Sequence, residues 1–499
     1  MDAVRQSPAS TAKAEPRLGS ALPALCVDLD GTLVKSDTLS DSICILAHQA
    51  PWRLAQLPFW LLRGRAHFKE KLAEQALPDP AHLPYNAELM IYLRQQAAAG
   101  RTLVLATGAD HRLAEHVAQH TGLFQSVLAS DGTTNLTGKK KLRRLEERFG
   151  PGGFDYIGNS HTDVPLLRTA ATALLANPAR GLRRRVQALR GPTSPAATQP
   201  QIFLDRAPRG QTLLRTLRVH QWAKNALLFL PLLLAHKLRG PAFVVELLAF
   251  VCFCGVASAT YILNDLLDIE ADRQHPRKRS RPFATGDLRI PVGAALGLVL
   301  AAGAVALSLY ALPMVFTLWL GMYAASTLAY SLHLKRRVLI DVLLLSALYT
   351  LRILAGAAAV HVPVSPWMAA FSIFFFFSLA LVKRFSELEN LRLRGAIPAN
   401  GRSYRVQDLE QLRSFGTASA YASILIFALY INNPDVGQLY RHPHRLWLMT
   451  PVLLWWLSRI WLKASRAELE EDPVIFALTD RASLLAGLMM AAIAIFAAR

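Results

Sequence analysis

The sequence predicts two structural classes in one chain: an α/β domain with a parallel sheet, followed by an all-α domain that crosses a membrane repeatedly. In the first 210 residues charges are frequent, and strand-like runs alternate with helical patterns. From about Lys224 onward the chain contains apolar stretches such as 242–262, 292–312 and 338–360. Each has roughly 20 residues, which is enough to cross a hydrocarbon core of about 30 Å.

The α/β domain is predicted from four short runs that read as strands: Ala24–Leu29, Thr102–Ala106, Ser126–Ala129 and Asp155–Ile157. An insertion from about Ser40 to Tyr85 interrupts the alternation and predicts a small helical cap. Its apolar segment Pro51–Leu62 forms either the core of that cap or an amphipathic surface that faces a membrane, since exposed Trp and Phe need a reason. The expected organisation is disorder over residues 1–20, the α/β domain over 21–190, a linker over 191–210 and the membrane domain over 211–499.

Nine spans are predicted in the membrane domain, centred near Phe229, Phe250, Leu300, Met322, Ala347, Phe374, Ile424, Leu454 and Met489. Lys and Arg crowd the alternate connections at 273–281, 335–337 and 383–405. The positive-inside rule therefore places these loops and the N-terminal domain in the cytoplasm and the C-terminus outside. No signal peptide is visible in the first 20 residues, which agrees with this orientation.

The formal net charge of +20 would suggest nucleic-acid binding in a soluble protein, but here the basic residues follow the membrane topology. No nucleic-acid partner is therefore expected. The four cysteines show no metal-binding spacing and are interpreted as free core thiols.

The strongest chemical signal is an acidic motif at the end of the second predicted span, with Asp265, Asp268 and Asp272 preceded by Asn264. Spacings of three and four place the three acids on one helix face. Clustered carboxylates beside a bilayer are costly unless a cation binds them, and carboxylate oxygens select hard cations such as Mg²⁺. The alternative is a solvated helix end that the following basic run neutralises.

That basic run, from His275 to Pro282, supplies guanidinium and ammonium groups that match phosphate geometry. The motif NDxxDxxxD, the HPxKRxRP-like run and Tyr330-Ser-Leu-His-Leu-Lys335 together resemble the UbiA superfamily of membrane prenyltransferases. The resemblance covers about residues 211–499. Most members carry a second DxxxD motif, whereas this chain has only Asp341 after Lys335, and position 345 is Leu.

This departure, together with the segments 221–225, 351–356 and 383–387, is similar to the decaprenyl-phosphate phosphoribosyltransferase branch. There the donor is phosphoribosyl pyrophosphate and the acceptor is a polyprenyl phosphate, which makes a precursor of cell-envelope glycans at the bacterial inner membrane. The resemblance implies that Asp265 and Asp268, supported by Asp272, hold Mg²⁺ on the diphosphate and that Asn264 orients it. The implied phosphate-binding residues are Lys278, Arg279, Arg281, Tyr330 and Lys335.

Lys224 or Arg352 would meet the lipid phosphate. Asp341 is included among the substrate-binding residues because acids inside a membrane are usually functional. Tyr330 also suits the aromatic belt at a membrane interface, and Lys383 and Arg384 also suit topology charges. Homo-oligomerisation is left open.

The α/β domain contains Asp28-Leu-Asp30-Gly-Thr at the end of its first strand, and this string resembles motif I of the haloacid-dehalogenase-like hydrolases. The resemblance implies a Rossmann-like domain in which Asp28 is the nucleophile and Asp30 the general acid/base. Thr107 and Lys141 would bind phosphoryl oxygens. A magnesium site would comprise Asp28, Asp30, Asp163 and Asn159, the last of which replaces an acid that is common in the family.

Three functions remain open. In the first, a bifunctional enzyme makes polyprenyl-phosphoribose and its hydrolase-like domain removes the 5-phosphate. In the second, a UbiA-type prenyltransferase moves a prenyl group to an aromatic or other acceptor. In the third, a transporter or scaffold carries a phosphatase domain. A separate alternative for the hydrolase-like domain itself is a degenerate regulatory domain. The acidic motif beside a basic run at one membrane face favours transfer chemistry over transport.

Overall fold

The computed structural model describes residues 22–190, 200–236, 240–393, 404–434, 436–469 and 473–498. The disorder predicted for residues 1–20 lies outside the described residues. So do residues 191–199 of the predicted linker.

Six parallel strands form one sheet in the N-terminal half, in the order β3-β2-β1-β4-β5-β6. They are β1 (Ala24–Val27), β2 (Leu103–Asp110), β3 (Ser126–Ser130), β4 (Phe154–Gly158), β5 (Ala173–Ala176) and β6 (Ile202–Phe203). The four predicted strands are confirmed. The sequence analysis does not identify β5, which has four residues, or β6, which has two. Strand β6 pairs with β5 inside the predicted linker.

Helices follow the strands, because in a parallel sheet each connection must bring the chain back to the end of the sheet at which the next strand begins. They are α1 (Thr38–Gln49), α2 (Leu57–Leu62), α3 (Arg65–Gln75), α4 (Ala87–Ala98), α5 (His111–Thr121), α6 (Lys139–Phe149), α7 (Val164–Thr169) and α8 (Leu182–Arg190). Two apolar clusters cover the faces of the sheet, one built around Leu25, Val27 and Leu105 and the other around Cys26, Val104 and Tyr156.

The predicted helical cap is present as α1, a 3-10 turn (Pro51–Gln56), α2 and α3. Residues of α1 and α3, among them Ile45, Leu46 and Leu72, form its small core. Neither the 3-10 turn nor α2 contains a buried residue, so Pro51–Leu62 is not the core of the cap. The reason is that side chains of α1 and α3 fill the interior of the cap. The intervening segment contributes only partly buried side chains that pack against them.

The remaining helices are α9 (Arg209–Leu217), α10 (Phe229–Leu234), α11 (Pro241–Leu267), α12 (Ile269–Gln274), α13 (Ile290–Ala311), α14 (Met314–Leu332), α15 (Ile340–Ala359), α16 (Pro366–Leu393), α17 (Leu409–Ile431), α18 (Val436–Leu439), α19 (Met449–Ser465), α20 (Pro473–Thr479) and α21 (Arg481–Ala498). Among the described residues, seven helices are long and apolar enough to cross a membrane: α11, α13, α14, α15, α16, α17 and α21. They establish a multi-pass membrane protein.

The predicted count of nine spans is not confirmed exactly. Around Phe229 the chain forms a 3-10 segment (Val219–Leu228) and the six-residue α10 in place of one long helix. Around Leu454 the α-helix α19 has 17 residues and follows a second 3-10 segment, Pro443–Leu448. An apolar run indicates that a segment is buried or faces lipid. It does not predict whether the backbone forms one continuous α-helix.

The described chain groups into two compact units. One contains the α/β domain together with residues Leu266–Pro291, and the other contains Gly210–Asp265 and Val292–Arg499. Consequently α12 and the basic run after it belong to the same unit as the sheet, which no sequence pattern indicated.

Candidate active sites

The candidate hydrolase site lies at the carboxyl edge of the sheet, where neighbouring parallel strands end together. Asp28 and Asp30 follow β1, Thr107 lies within β2, and Asn159 and Asp163 follow β4. Because β1 lies between β2 and β4, strand order alone places these residues at one edge. Lys141 reaches the same place from the first turn of α6.

Asp28 and Lys141 form the centre of this site. The Lys141 Nζ donates to Asp28 Oδ1 at 2.7 Å, and both side chains are buried. Burial raises the pKa of Asp28 to about 6, although Lys141 opposes that rise. The paired carboxylates raise the pKa of Lys141 in spite of its own burial, so the lysine stays charged.

Asp30 accepts hydrogen bonds from the backbone N–H of Thr38 at 2.8 Å and from the Thr38 hydroxyl at 2.7 Å, both at the start of α1. Burial raises the pKa of Asp30 to about 7, and the nearby Asp37 carboxylate adds to the rise. A carboxyl group with this pKa can hold and release a proton near neutral pH, as a general acid/base must.

Asp163 is tied to the centre through a residue that the sequence analysis missed. The Tyr156 hydroxyl accepts from Lys141 at 3.0 Å and donates to Asp163 Oδ1 at 3.1 Å. The other carboxylate oxygen of Asp163 accepts from the Ser160 hydroxyl at 2.7 Å. Tyr156 lies within β4 and reads in sequence as a core aromatic, so no local signal identifies it.

Asn159 and Thr107 are both buried in this site. Gly31 has φ +72°, and a Cβ there would lie 1.9 Å from Asn159 Nδ2, so only glycine lets the amide approach the loop after β1. The Thr107 hydroxyl accepts from the N–H of Ala109 at 3.0 Å, which shapes the turn at the end of β2.

A second missed residue, Lys69, reaches the site from cap helix α3. Its ammonium group donates to the carbonyl of Gly108 and to Asn135 Oδ1 at 2.9 Å. Lys69 also lines a cavity of about 260 Å³ together with Asp30, Thr38 and Ser42. Partial burial lowers the pKa of Lys69, while Asp30 and Asp37 oppose the shift. Nothing in an isolated Lys on a polar helix indicates such a position.

The oxygen donors of this site fit Mg²⁺, because Asp28 and Asp163 already bracket a cation. Lys141 Nζ lies 2.7 Å from Asp28 Oδ1 and 4.0 Å from Asp163 Oδ1. Among the residues that the structure describes, no three His, Cys, Asp or Glu side chains group as they would around a metal ion. Asp30 turns toward Thr38 and Asp163 toward Ser160, so these side chains would have to move to bind the ion.

The acidic motif of the membrane domain lies where α11 ends. Asn264 and Asp265 are in its last turn, Asp268 caps the short helix α12, and Asp272 lies within α12. The three acids therefore do not share one continuous helix, because the chain leaves regular α-helical hydrogen bonding at Asp268.

Cations hold two of these acids in the structure. Asp265 is buried and accepts from Arg218, which directly precedes the 3-10 segment Val219–Leu228. Asp272 is also buried and accepts from Arg281 at 2.6 Å. The carboxylates have the chemistry that Mg²⁺ prefers, and the guanidinium groups occupy sites that such an ion would share. Lys278 and Arg279 form an exposed 3-10 turn between Asp272 and Arg281.

Asp341 and Tyr330 belong to one buried polar network. Arg384 donates to Asp341 Oδ2 at 2.6 Å, to Glu387 Oε2 at 2.7 Å and to the Tyr330 hydroxyl at 3.0 Å. Tyr404 donates to the second oxygen of Asp341 at 2.5 Å. Arg384 is buried, so the interpretation as a surface topology charge is wrong for this residue. Lys335 lies in the 3-10 turn after α14, half-buried.

Arg352 lies buried within α15 among neutral groups. It donates to Asn225 Oδ1 at 2.9 Å, to the Leu348 carbonyl at 2.6 Å and to the Tyr323 hydroxyl at 3.1 Å. Gly356 allows this arrangement, because a Cβ there would lie 2.1 Å from the Leu228 carbonyl and would push the 3-10 segment off α15. Lys224 lies on the same segment, 5.9 Å from the centre of the Tyr349 ring, and Arg352 lies 5.6 Å from that ring.

Comparison with known proteins identifies the family of each domain. Residues 226–485 match the UbiA prenyltransferase family, and residues 25–168 match the haloacid dehalogenase-like hydrolases. The chain is 37% identical over 473 residues to the uncharacterised protein y4nM of Sinorhizobium fredii, an alignment that covers 94% of this chain and 90% of that protein. It is 36% identical over 271 residues to the nodulation protein NoeC of Azorhizobium caulinodans, covering 54% of this chain and 87% of NoeC.

The decaprenyl-phosphate phosphoribosyltransferase of Mycobacterium tuberculosis is 35% identical over 232 residues, which cover 45% of this chain and 74% of that enzyme. The UbiA match covers more than half of the chain, and y4nM resembles it over almost its whole length. The chain therefore belongs to the UbiA prenyltransferase family and carries a haloacid dehalogenase-like hydrolase domain ahead of its membrane domain.

Proposed function

We propose that the membrane domain transfers phosphoribose from phosphoribosyl pyrophosphate to a polyprenyl phosphate, and that the hydrolase domain then removes the 5-phosphate from the product. Both reactions would take place at the cytoplasmic face of a bacterial inner membrane, with the C-terminus on the outer side. The product would be a precursor for cell-envelope glycans.

The observation that carries the choice of donor is the state of Asp341. A second acidic motif in this connection would serve a second metal ion, but position 345 is Leu. Both oxygens of Asp341 already accept hydrogen bonds, from Arg384 and Tyr404. Asp341 is thus engaged within the protein, and the first acidic motif would meet the diphosphate. This departure supports phosphoribosyl over prenyl transfer, and so does the similarity to decaprenyl-phosphate phosphoribosyltransferases.

Arg352 supports an anionic acceptor. The hydrogen bonds of Arg352 described above go to neutral groups, and a buried guanidinium group in such surroundings favours the approach of an anion. A polyprenyl phosphate is an anion, and its polyprenyl chain would anchor it at such a depth. Asn225 orients the guanidinium and Lys224 lies on the same segment, so these residues would hold the acceptor phosphate.

At the donor, Asp265 and Asp268, supported by Asp272, would hold Mg²⁺, and Asn264 would orient the diphosphate. The ion would neutralise charge on the departing diphosphate. Lys278, Arg279, Arg281, Tyr330 and Lys335 would bind phosphate oxygens. The acceptor phosphate oxygen forms a bond to the ribosyl C1 as the bond to the diphosphate breaks, and no protein nucleophile is required.

In the hydrolase domain Asp28 would attack the phosphorus and Asp30 would protonate the leaving alcohol. Water would then hydrolyse the aspartyl-phosphate, with Asp30 accepting its proton. Lys141 and Thr107 would hold the phosphoryl oxygens, and Asp28 and Asp163, with Asn159, would hold Mg²⁺ to neutralise their charge.

The test uses the full-length protein in membranes, supplied in parallel with labelled phosphoribosyl pyrophosphate and labelled prenyl diphosphate. Label is expected in lipid from the first donor, only with Mg²⁺ present, and it is expected to disappear in Asp265→Asn and Asp268→Asn. The matched control is Glu270→Gln, which removes an acid from the other side of α12. Label that enters lipid from prenyl diphosphate alone would overturn the proposal.

A further inference from the structure

The cap of the hydrolase domain exposes a group of large apolar side chains. The exposed fractions are 71% for Trp52, 68% for Phe59, 52% for Leu61 and 84% for Leu62. We refer to these four residues as the cap patch. They lie on the 3-10 turn Pro51–Gln56 and on α2, neither of which has a buried residue. Four exposed large apolar side chains within eleven residues indicate an interaction surface rather than an ordinary solvated face.

Within the segment that carries the cap patch, the charged side chains have one sign. Arg53, Arg63 and Arg65 flank the patch and are exposed, and the segment 51–65 contains no Asp or Glu. Aromatic and Leu side chains beside arginines fit the boundary between acyl chains and anionic headgroups. A second copy of the same patch fits poorly, because a twofold contact would bring the arginines of both copies together.

Three residues before the cap patch segment, the chain contacts the residue that directly follows a membrane span. His48, in the last turn of α1, lies three residues before Pro51. Its Nδ1 is 3.5 Å from Asp268 Oδ1 within the same compact unit. Asp268 directly follows Leu267, the last residue of the span α11. A residue that close to the end of a span lies near the level of the lipid headgroups.

We propose that the cap patch inserts into the anionic headgroup layer of the bilayer that the chain itself crosses. Trp52, Phe59 and Leu62 would enter the acyl boundary while Arg53 and Arg63 remain with the lipid phosphates. The hydrolase domain would then be held at the membrane by its cap as well as by the polypeptide chain.

This docking also deepens the proposed function, on which the following consequence rests. Lys69, on the helix that follows α2, lines the cavity that also contains Asp30. A cap seated in the headgroups would keep that cavity at the lipid surface. A lipid-linked phosphoribose could then reach Asp28 without leaving the bilayer.

The experiment labels the full-length protein in nanodiscs of phosphatidylglycerol and phosphatidylcholine. The four native cysteines are buried, so an environment-sensitive fluorophore reacts with a cysteine introduced on the surface. Leu62→Cys and Phe59→Cys report on the cap patch. Arg143→Cys, on an exposed position of α6, is the matched control. Lipids with a quencher on the acyl chain report insertion.

The expected result is blue-shifted emission that acyl-chain quenchers reduce at positions 59 and 62 but not at position 143, with a smaller effect in phosphatidylcholine alone. Equal and negligible quenching at all three positions would overturn the proposal. So would a blue shift that lipid quenchers do not affect, since it would show that residues 1–21, a second copy or another protein covers the patch.

A second measurement separates this inference from the proposed function. In Trp52→Ser/Phe59→Ser/Leu62→Ser, phosphate release from a lipid-linked phosphoribose is expected to fall through a higher KM, while release from water-soluble ribose 5-phosphate stays unchanged. If the unsubstituted protein releases phosphate from neither compound, the proposed hydrolase function fails, whereas the fluorescence result still decides the docking.

Discussion

Buried cations decide what the buried acids of this protein can do. Lys141 keeps Asp28 close to a second carboxylate, whereas Arg384 and Tyr404 together occupy both oxygens of Asp341. In the first arrangement the second carboxylate oxygen of Asp28 has a long contact, 3.4 Å, with the Thr32 hydroxyl, which leaves it more accessible to a substrate. The second arrangement has no spare oxygen. The same type of residue is therefore proposed to act in catalysis at Asp28, whereas at Asp341 it holds together a buried polar network.

Removing Lys69 is expected to weaken substrate binding in the hydrolase domain. A charged hydrogen bond contributes about 1.5–3 kcal/mol, so Lys69→Met should raise KM for phosphate release by about tenfold or more with little change in kcat. Lys71→Met removes a cation of the same helix that pairs with Glu74 at the surface, and it should leave KM unchanged. An equal loss of kcat in Lys69→Met would instead mean that the residue only supports the turn at Gly108.

Removing Arg384 is expected to destabilise the membrane domain. Breaking a buried ion pair costs about 3–5 kcal/mol, because the remaining carboxylate stays in a low-dielectric interior. Arg384→Gln should therefore lower the thermal unfolding temperature in detergent, and Asp341→Asn in the same chain should recover part of the loss. Lys383→Gln alters the neighbouring, less buried cation and should shift that temperature little. An unchanged unfolding temperature in Arg384→Gln would show that the network is not needed for stability.

At the scale of elements, α1 connects the hydrolase site with the segment Leu266–Pro291. Its first turn supplies Thr38 to Asp30, and one turn later Asp41 meets Arg273. This second pair is buried, with both Asp41 oxygens about equally close to Arg273 Nη2, at 3.1 and 3.0 Å. The Ser36 hydroxyl donates to Asp41 at 2.7 Å. Arg273 follows Asp272 directly, so α1 restrains the end of the acidic motif.

Asp41→Asn is expected to loosen that segment. An unpaired buried guanidinium group costs about 3 kcal/mol or more, which corresponds to about 10²-fold faster hydrogen exchange in residues 266–291 of the full-length protein. Asp37→Asn changes an exposed N-cap of α1 at which Asn caps about as well as Asp, and it should leave these residues protected. Unchanged exchange in Asp41→Asn would show that other contacts hold the segment.

At the scale of the whole molecule, one chain combines a hydrolase domain with a lipid-processing transferase. The proposed product of the second domain is a phosphomonoester, which is the substrate class of the first. Because the two domains are covalently linked, the effective concentration of the hydrolase domain near the product of the transferase domain is high without any new contact between them.

Inactivating the hydrolase nucleophile is expected to change the product and not the transfer. With labelled phosphoribosyl pyrophosphate, Asp28→Asn should accumulate the 5-phosphorylated lipid at the normal initial rate, whereas the unsubstituted protein should yield the dephosphorylated lipid. Thin-layer separation of the labelled lipids checks this outcome. Identical products from both proteins would show that the hydrolase domain acts on another compound.

The local patterns of the sequence were sufficient for much of the architecture. The apolar runs predicted nine spans, and among the described residues seven helices are long enough to cross a membrane, because bilayer thickness sets their length. Alternation of strands and helices predicted four of the six parallel strands, and strand order then places Asp28, Thr107 and Asp163 at one edge. The acidic motif indicated transfer chemistry because carboxylates beside a membrane require a cation.

Only the tertiary structure decided which partner each of these residues meets. Arg218 lies 47 positions before Asp265, Arg384 lies 43 positions after Asp341, and Lys141 lies 113 positions after Asp28. It also excluded Pro51–Leu62 from the core of the cap and grouped Leu266–Pro291 with the sheet. Periodicity and motifs report interactions over a few residues, whereas these pairings depend on packing between distant segments, which the local pattern does not encode.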